Sequence, residues 1–244
     1  MMNIMAILNS VSNSVVLITG GSKGIGFATA KEALRSGASK VIIVARQSLD
    51  LQNATKELIK MAKTPDQVVA IVADLSKVEG PAVVLDALSQ QGIKVDFFIN
   101  NAGFTKPATI YEATFADFQT TINVNLYAPF LLIQGLLKQS HPLNTIVNIA
   151  STAGINGRAG WATYSASKAA LIAFSESLKE DLHASGINVV CLSPGRCATD
   201  LRKILAPNEN PSDIMQPSHV AKIIMVYLSD LGRLIDSDNT VVRL

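Results

Sequence analysis

The chain has 244 residues, of which 48% are hydrophobic and 16% are charged, and its net charge is +2. This length and this apolar content suffice for one large α/β domain with a substantial core, and we predict a single domain over residues 1–244. The lysines and arginines are scattered, so no basic run indicates a nucleic acid or a charged membrane surface as a partner. The histidines lack metal-ligand spacing, which predicts no metal site.

The first residues of the chain and its two cysteines indicate the cellular compartment of the protein. No lysine or arginine precedes Lys23, so the first residues lack the basic start of a secretory or mitochondrial signal, and we predict residues 1–13 to be a flexible extension. No run of about 18 uninterrupted apolar residues predicts a membrane span. Cys191 and Cys197 are too few for a disulfide framework, and we expect them to pack inside a cytoplasmic protein.

A glycine-rich turn follows the first predicted strand. Residues 14–19 are apolar enough for a short buried strand, and residues 27–37 have helical spacing that ends at a glycine. Between them stand Gly20, Gly24 and Gly26. A tight turn and a backbone that lies against a pyrophosphate both exclude Cβ atoms, and the helix N-terminus supplies N–H donors. Strand, turn and helix together predict a dinucleotide site, although the glycines alone also suit an ordinary turn.

The second predicted strand, residues 40–45, ends at Arg46. In a dinucleotide site an acidic residue here binds the ribose hydroxyls of NAD, whereas a basic residue accommodates the 2′-phosphate of NADP. Arg46 and Lys23, which lies inside the glycine turn, are expected to reach such a phosphate with no carboxylate to repel it. The sequence therefore favours NADP, and the alternative is that Arg46 only begins a solvated helix.

Two further predicted strands end in polar residues. Residues 67–73 lead to Asp74, which can either accept a hydrogen bond from an adenine amino group or cap a helix predicted over residues 77–90. Residues 95–99 lead to Asn-Asn-Ala-Gly at 100–103, where small residues let the backbone approach a cofactor and amides tie strands together. For the first of these asparagines a structural role and a ligand role are both open.

A long, mostly apolar segment over residues 114–140 contains Asn125 in its interior. Asparagine has only middling helix propensity, and Pro129 lacks the backbone N–H that would bond to the carbonyl of Asn125. The freed carbonyl is a candidate site for a water molecule, and the alternative is an asparagine that satisfies its own local backbone.

The strongest candidate for chemistry follows residues 144–150, an apolar run that predicts a buried parallel strand. Ser151 then stands at the carboxyl end of the strand, where open α/β sheets bind ligands. Tyr164 and Lys168 lie four residues apart in a segment with helical spacing, so both project from one helical face. An ammonium about 5 Å from a phenol favours the phenolate by roughly 3 kcal/mol at an effective dielectric of about 20. The pair predicts a usable acid or base beside a Ser151 hydroxyl that holds a carbonyl oxygen, although such spacing also arises by chance.

The remaining sequence completes the alternation of strands and helices. Residues 186–193 predict a sixth strand, residues 218–229 a helix and residues 240–243 a seventh strand, while the turn-rich residues 206–217 form either a mobile lid or a surface loop. This alternation predicts a doubly wound, parallel, seven-stranded α/β sheet with helices on both faces, the Rossmann fold.

In this order of motifs the chain resembles the short-chain dehydrogenase/reductase family, in its single-domain form, over about residues 13–244. The matching motifs are Thr19 to Gly26, Asp74 with Leu75, Asn100 to Gly103, Asn125, Ser151, Tyr164 to Lys168, and Pro194 and Gly195 with Thr199. By that resemblance Tyr164 donates the proton to the carbonyl oxygen during reduction, and Ser151 orients this oxygen. Lys168 lowers the pKa of Tyr164 and holds the nicotinamide ribose, while Asn125 supports a water that relays protons to Lys168.

The same resemblance implies NADP(H) as the cofactor and a small-molecule carbonyl or alcohol as the substrate. The implied cofactor contacts are Gly20, Ser22, Lys23, Gly24, Ile25, Gly26, Arg46, Asp74, Leu75, Asn101, Ala102, Gly103, Tyr164, Lys168, Pro194, Gly195 and Thr199. Of these, Ser22, Lys23 and Arg46 match positions that bind the 2′-phosphate. A homodimer or homotetramer is also implied, although the sequence lacks the Asp-Gly-Gly that follows the last strand in many relatives and contributes to a tetramer contact.

These residues favour an NADPH-dependent reductase that converts a ketone into a secondary alcohol, with a 3-oxoacyl, steroid-like or xenobiotic ketone as substrate. Two alternatives are open. One is an NAD-dependent alcohol dehydrogenase, if Arg46 does not bind a 2′-phosphate, and the other is a non-catalytic, cofactor-binding regulatory protein. The loop over residues 153–161, Cys197 and the lid around Met215 are expected to line a partly apolar substrate pocket.

Overall fold

The computed structural model describes residues 11–244. Residues 1–10, which make up most of the predicted flexible extension, lie outside the described residues. The last residues of that extension are attached to the domain, since Val11 is buried in the core and the Asn13 N–H donates to the Gly37 carbonyl at 3.0 Å. The core therefore begins ahead of the first strand.

One sheet of seven strands organises the fold. The strands are β1 (Val15–Thr19), β2 (Lys40–Ala45), β3 (Val68–Val72), β4 (Phe97–Asn100), β5 (Thr145–Ile149), β6 (Asn188–Pro194) and β7 (Thr240–Val242). All neighbouring strands are parallel, in the order β3-β2-β1-β4-β5-β6-β7, which confirms the predicted sheet. The chain winds outward from β1 to β3 and then returns to the other side of β1, and such a reversal opens a crevice at the carboxyl ends of β1 and β4.

Helices cover both faces of the sheet. They are α1 (Gly24–Arg35), α2 (Leu49–Met61), α3 (Gly80–Gln90), α4 (Phe115–Ile122), α5 (Ala128–Lys138), α6 (Ala162–His183), α7 (Asp200–Leu205) and α8 (Pro217–Tyr227). Val16 and Ile18 of β1 pack with residues of α1, α2 and α8, whereas Leu17 packs with residues of α3, α5 and α6. Because both faces are buried, the strands read as nearly continuous apolar runs.

Helix α3 begins at Gly80 instead of at the predicted residue 77. Before it, the Lys77 N–H donates to the Asp74 carbonyl and the Gly80 N–H donates to the Lys77 carbonyl, so two turns occupy this stretch. Pro81 then falls in the first turn of the helix, where its missing N–H is not needed.

The long segment around Asn125 is not one uniform α-helix. A π-helical turn, Asn123–Tyr127, separates α4 from α5, and the Ala128 N–H donates to the Asn123 carbonyl. Pro129 offers no N–H to the Asn125 carbonyl, which is compatible with a wider turn at this point. Asn125 lies in this turn and is completely buried.

The same segment, Phe115–Lys138, is long and apolar enough by length and composition to cross a membrane. In the structure its second half packs on the sheet, where Leu132, Ile133 and Leu136 are almost fully buried. Core helices of this kind pass the same test, so the segment is weak evidence for a membrane span.

A chain of buried polar side chains ties the central strands to α6. Asn100 Nδ2 donates to Asn148 Oδ1 at 3.0 Å, and Asn148 Nδ2 donates to Ser175 Oγ at 2.9 Å. Ser175 Oγ in turn donates to the Leu171 carbonyl at 2.7 Å. The sequence leaves open a structural role and a ligand role for Asn100, and these hydrogen bonds show the structural one. Asn100 helps to place α6 against the ends of β4 and β5.

Candidate active site

A cleft of about 520 Å³ opens at the carboxyl ends of the strands and contains nearly all of the predicted site residues. Those that line it are Gly20, Ser22, Lys23, Gly24, Ile25, Arg46, Asp74, Leu75, Asn101, Ala102, Gly103, Ser151, Tyr164, Lys168, Pro194, Gly195 and Thr199. Gly26 and Asn125 are not part of its surface and lie behind it. Their predicted functions thus have to be exerted through neighbouring residues.

The turn after β1 requires glycine for two different reasons. Gly20 has φ +65° and Gly24 has φ +56°, a conformation that residues with a Cβ rarely adopt. A Cβ at Gly26 would lie 2.4 Å from the Gly20 carbonyl oxygen, so α1 packs on the turn only with glycine there. Asn101 fixes the same turn, since its Nδ2 donates to the Thr19 carbonyl at 2.9 Å.

The cationic end of the cleft differs from the prediction in one respect. Arg46 is exposed and lines the cleft, but the Lys23 ammonium already has carboxylate partners. Lys23 Nζ lies 2.9 Å from Asp200 Oδ2 and 3.6 Å from Asp50 Oδ2. The hydrogen bond from Lys23 to Asp200 is the main reason why the pKa of Lys23 is raised, and it outweighs the opposing effect of burial.

The expectation that no carboxylate lies near this end is therefore wrong. Asp50 belongs to the first turn of α2, where an acidic side chain interacts favourably with the helix dipole. Ser48 caps this helix by accepting from the Leu51 N–H, and the first turn of the helix places Asp50 3.6 Å from Lys23. The carboxylate thus comes from the helix after β2, whereas the prediction considered only the residue at the end of the strand.

Asp74 is held as a carboxylate at the edge of the cleft. Burial disfavours its charged form, but hydrogen bonds from the Ser76 hydroxyl and N–H, with the charges of Arg46 and Lys77, outweigh burial and lower the pKa of Asp74. The two bonds from Ser76 measure 2.7 and 3.0 Å. Since α3 begins at Gly80, Asp74 caps a turn and not this helix, and the helix-cap alternative is wrong. A contact with adenine stays a prediction.

The three residues predicted to react share one wall of the cleft. Ser151 Oγ accepts from the Ala153 N–H at 3.1 Å, and the Ser151 hydroxyl is close enough to Tyr164 to lower the pKa of the phenol. Tyr164 and Lys168 lie one turn apart in α6 and are 5% and 3% exposed. Lys168 Nζ donates to the Ile149 carbonyl at 2.7 Å and lies 6.0 Å from the centre of the Tyr164 ring.

Burial dominates the proton affinities of this group. Burial raises the pKa of Tyr164 to about 12, against smaller opposing effects of the Ser151 hydrogen bond and the Arg202 charge. Burial also lowers the pKa of Lys168 to about 8. Removing a phenolate from water costs more than the nearby charges contribute, so the pKa of Tyr164 is raised overall, and a lowering of this pKa by Lys168 stays a prediction. Tyr164 is therefore a protonated phenol at neutral pH.

A glycine lets the loop after Ser151 pack tightly on α6. The short 3₁₀ turn Thr152–Gly154 follows directly, with Ser151 as its cap. A Cβ at Gly154 would lie 2.7 Å from the carbonyl carbon of Lys168. Only a residue without a Cβ therefore allows the Ser151 loop to approach the helix that carries Tyr164 this closely.

Asn125 joins two segments that meet behind the cleft. Its Oδ1 accepts from the Phe104 N–H at 2.8 Å, and its Nδ2 donates to the Phe104 carbonyl at 3.0 Å and to Ser167 Oγ at 2.9 Å. Ser167 Oγ donates to the Tyr164 carbonyl at 2.7 Å. The amide thus links the loop after β4 to the first turns of α6, and the water site at the main-chain carbonyl of Asn125 stays a prediction.

The substrate part of the cleft is lined by side chains of mixed character. They include Arg158, Trp161, Cys197, Arg202 and Leu205. Arg158, Trp161 and Cys197 lie where the sequence analysis expects pocket residues. Met215 does not, because it is 2% exposed and packs in the core, and its backbone pairs with Cys197 in an isolated bridge. The expectation that Met215 lines the pocket is therefore wrong.

Several residues that line the cleft carry no motif, and the sequence analysis misses them. They include Gln47, Ser48, Asp50, Phe104, Thr120, Val124, Asp200, Leu201, Arg202 and Leu205. The last four belong to α7, which the sequence analysis does not predict. A signal for it exists, since the Thr199 hydroxyl accepts from the Arg202 N–H at 3.1 Å and Asp200 follows in the first turn, a common start of a helix.

The shape of the cleft fits a dinucleotide. A Cβ at Gly20 would lie 2.9 Å from the Ala102 Cα, so bare backbone lines the crevice between β1 and β4. Arg46 follows β2 and Ser151 follows β5, three strands away in the sheet, a separation of about 14 Å at about 4.8 Å per strand. A cation at one end and hydroxyl and ammonium groups at the other suit an extended ligand with a phosphate at one end.

Comparison with known proteins agrees with this geometry. The family model for short chain dehydrogenase matches residues 14–210. The chain is 30% identical over 213 residues to a 3-oxoacyl-[acyl-carrier-protein] reductase from Synechocystis sp., covering 86% of this chain and 83% of that protein. It is also 30% identical over 248 aligned positions to the 3-hydroxyacyl-CoA dehydrogenase type-2 of Bos taurus, covering 92% of each.

A solved structure shares the whole fold. The short chain dehydrogenase from Burkholderia cenocepacia in complex with NADP is 27% identical in sequence and matches with a TM-score of 0.84. The match covers 96% of this chain and 97% of that chain.

Proposed function

Because this chain belongs to the short-chain dehydrogenase family, we propose that it is an NADPH-dependent reductase that converts a ketone into a secondary alcohol. The observation that carries the proposal is the group of Ser151, Tyr164 and Lys168 in the same cleft as Arg46. Tyr164 is neutral at pH 7 and so has a proton to donate, and because burial raises its pKa to about 12, the transfer depends on the negative charge that develops on the carbonyl oxygen.

NADP(H) is the cofactor that we propose, supported by the Burkholderia cenocepacia structure with NADP and by the cation after β2. Arg46, Ser22 and Lys23 would hold the 2′-phosphate, and the glycine turn before α1 would hold the pyrophosphate. Tyr164 and Lys168 would hold the nicotinamide ribose. When bound, the nicotinamide supplies the hydride.

The chain's own residues orient the carbonyl and move the proton. Ser151 and Tyr164 line the same cleft, where one carbonyl oxygen would be able to accept from both hydroxyls. Tyr164 transfers its proton to this oxygen as negative charge develops there. Lys168, with a pKa near 8, is suited to accept or release a proton near neutral pH, and Asn125 holds the first turns of α6 in position.

Replacement of the phenol tests the mechanism. We expect Tyr164→Phe to lose roughly 100-fold or more of the ketone-reducing activity, because the general acid is removed. NADPH binding, followed by quenching of tryptophan fluorescence, is expected to be retained. Tyr111→Phe is the matched control, since Tyr111 is 96% exposed. A fully active Tyr164→Phe variant would refute the proposed mechanism.

Among ketones, 3-oxoacyl thioesters have the most support. The Synechocystis relative is named as a 3-oxoacyl-[acyl-carrier-protein] reductase, and the bovine relative as a 3-hydroxyacyl-CoA dehydrogenase. A panel of 3-oxoacyl thioesters, steroid ketones and small xenobiotic ketones tests this assignment with NADPH. A higher kcat/KM for a steroid or xenobiotic ketone than for every thioester would contradict it.

An NAD-dependent alcohol dehydrogenase is the second candidate, and the Lys23–Asp50 pair favours it, because it places a carboxylate close to the expected phosphate site. Fluorescence titrations with NADPH and NADH separate the two candidates. Preference for NADPH that is lost in Arg46→Asp supports the reductase. Tighter binding of NADH supports the dehydrogenase, and binding of neither nucleotide supports a non-catalytic regulatory protein.

We also propose that the protein forms homodimers or homotetramers in the cytoplasm. Leu126, Tyr127, Phe130 and Phe174 form an apolar surface in which Tyr127 is 52% and Phe130 is 42% exposed. A second copy seated on this surface would remove it from water. Sedimentation of the unmodified protein and of Phe130→Glu tests the assembly, and we expect the variant to shift toward monomers. A monomer mass for the unmodified protein as well as for the variant would contradict the proposed assembly.

A further inference from the structure

A tryptophan lies beside two arginines in the substrate part of the cleft. Trp161 is the only tryptophan in the sequence, and it lines the cleft. The guanidinium carbon of Arg158 lies 5.3 Å from the centre of its ring, and that of Arg202 lies 5.7 Å from it. Both arginines line the cleft as well, so its surface here combines an aromatic face with positive charge.

The arginines differ in their acidic partners. Arg202 is 15% exposed and holds Glu209 through two bonds, with Nε at 2.5 Å from Oε2 and Nη2 at 2.8 Å from Oε1. Arg196 Nη1 lies 3.4 Å from the same carboxylate. Arg158 is exposed and forms no ion pair with any residue in the range 11–244. It is therefore the arginine of this group that is available to a ligand.

Positive charge exceeds negative charge in this part of the cleft. The carboxylate of Glu209 is shared between Arg202 and Arg196. The other carboxylate on this side, Asp200, lies 2.9 Å from Lys23 and is paired there. The charge of Arg158 is thus not balanced by either acidic group.

The backbone fixes Arg158 relative to the reacting phenol. The Trp161 N–H donates to the Arg158 carbonyl at 3.0 Å, and the Trp161 carbonyl accepts from the Ser165 N–H at 2.7 Å. Gly160, with φ +75°, makes the turn between them possible. Tyr164 follows in the first turn of α6, so Arg158 and Tyr164 belong to one connected unit.

We propose that Arg158 and Trp161 form an anion subsite, which selects ketones that carry a carboxylate or a phosphate away from the reacting carbonyl. The inference rests on the proposed reductase function and names a substrate class for it. A planar guanidinium matches the oxygen pairs of both anions, and stacking on Trp161 holds the guanidinium in place. Since Arg158 is exposed, the contact is expected to change kcat/KM by about tenfold and not by several orders of magnitude.

Matched substrate pairs test the anion subsite. The carboxylate pair is 4-oxopentanoate and its ethyl ester, and the phosphate pair is acetoacetyl-phosphopantetheine and acetoacetyl-pantetheine. Each is assayed with the unmodified protein, with Arg158→Gln and with the control Arg233→Gln. Arg233 is exposed in the turn Gly232–Leu234 and does not line the cleft.

We expect the anionic member of at least one pair to be preferred by about tenfold, and Arg158→Gln to remove this preference while leaving the neutral member unchanged. The pair that shows the effect identifies the anion as a carboxylate or a phosphate. Arg233→Gln is expected to keep the preference. Equal loss with charged and neutral ketones would show that Arg158 only supports the loop, and an unchanged preference would show that it does not contact the substrate. Either result overturns the inference.

Binding measured through Trp161 separates failure of the inference from failure of the proposed function. The protein saturated with NADP⁺ is titrated with phosphopantetheine, pantetheine, 4-oxopentanoate and its ethyl ester, and the emission of the single tryptophan is followed. If no ketone is reduced but an anion alters the emission in an Arg158-dependent manner, the reductase function fails and the subsite stands. If ketones are reduced but charged and neutral compounds bind alike, the subsite fails and the reductase function stands.

Discussion

The reacting group and the anion subsite lie in the same cleft but are built in opposite ways. Lys168 and Tyr164 are almost completely buried on a long helix, and Lys168 donates to the Ile149 carbonyl of β5 at 2.7 Å. Arg158 is exposed on a loop and is held by stacking and a single backbone turn. The difference teaches that the pKa values of the reacting groups are set in the buried part of the cleft, from which water is excluded. Substrate choice is set at the surface of the cleft, where replacing a residue costs little stability.

The largest effect is expected at the buried side of this comparison. Lys168→Met should keep the fold, because methionine fits a buried site, but remove the ammonium beside Tyr164. We expect a loss of activity of roughly 1000-fold, within the range of proton-transfer groups. Steady-state kinetics with the best ketone measure it. Lys179→Met, at a half-buried position of the same helix that does not line the cleft, is the control. Comparable activity of both variants would contradict a part for Lys168 in the reaction.

Packing at the reacting group is tested by a pair of glycines in one loop. Gly154→Ala would place a Cβ 2.7 Å from the Lys168 carbonyl carbon, whereas nothing lies within 4 Å of a Cβ at Gly157. We expect Gly154→Ala to lower the free energy of unfolding by about 1–3 kcal/mol and to reduce activity, since α6 has to move. Gly157→Ala should change neither. Urea unfolding of both variants measures the difference, and equal stabilities would contradict this account.

The pH dependence of stability sharpens the comparison further. Burial lowers the pKa of Lys168 from 10.5 to about 8, so between these values the unfolded chain binds more protons than the folded one. Stability contributed by this group therefore increases as pH rises through this window. We expect the stability of the unmodified protein, relative to Lys168→Met, to rise from pH 8 to 10. A constant difference in urea midpoints across this range would contradict the lowered pKa.

The smallest effect is expected in the substrate part of the cleft. Glu209→Gln weakens the bidentate contact with Arg202 at the start of the loop that leads to α8. We expect a loss of about 1 kcal/mol in the free energy of unfolding and a modest increase in KM. Glu180→Gln, an exposed position on α6, is the control. A KM that stays the same in both variants would show that the Arg202–Glu209 pair does not shape the substrate part of the cleft.

The sequence predicts the sheet because each strand is a buried apolar run with a glycine or polar residue after it. It predicts the location of Ser151, Tyr164 and Lys168 for the same reason, since strand ends and helix spacing are local properties. It does not predict that Asp50 and Asp200 meet Lys23, because these contacts join segments far apart in the chain. Nor does helix spacing reveal the pKa of Tyr164, because burial of a phenol depends on everything packed around it.

Short elements and side-chain direction are the other points at which sequence patterns fail. Helix α7 is six residues long and has no buried residues, so it shows no apolar periodicity. Met215 lies in a segment with many turn-forming residues, which indicates a loop, but its side chain packs in the core. In both cases the decisive contacts are tertiary and leave no regular pattern in the sequence.

The π-helical turn at Asn123–Tyr127 holds one more residue than an α-helical stretch that rotates the chain by nearly the same angle. The faces of α4 and α5 are therefore related almost as in one regular helix that carries one additional residue. Deletion of one residue here is expected to leave Leu132 and Leu136 of α5 on the sheet, where they are now almost fully buried. Its cost would fall on the hydrogen bonds of Asn125 with Phe104 and Ser167, because the widened turn in which Asn125 lies would be removed.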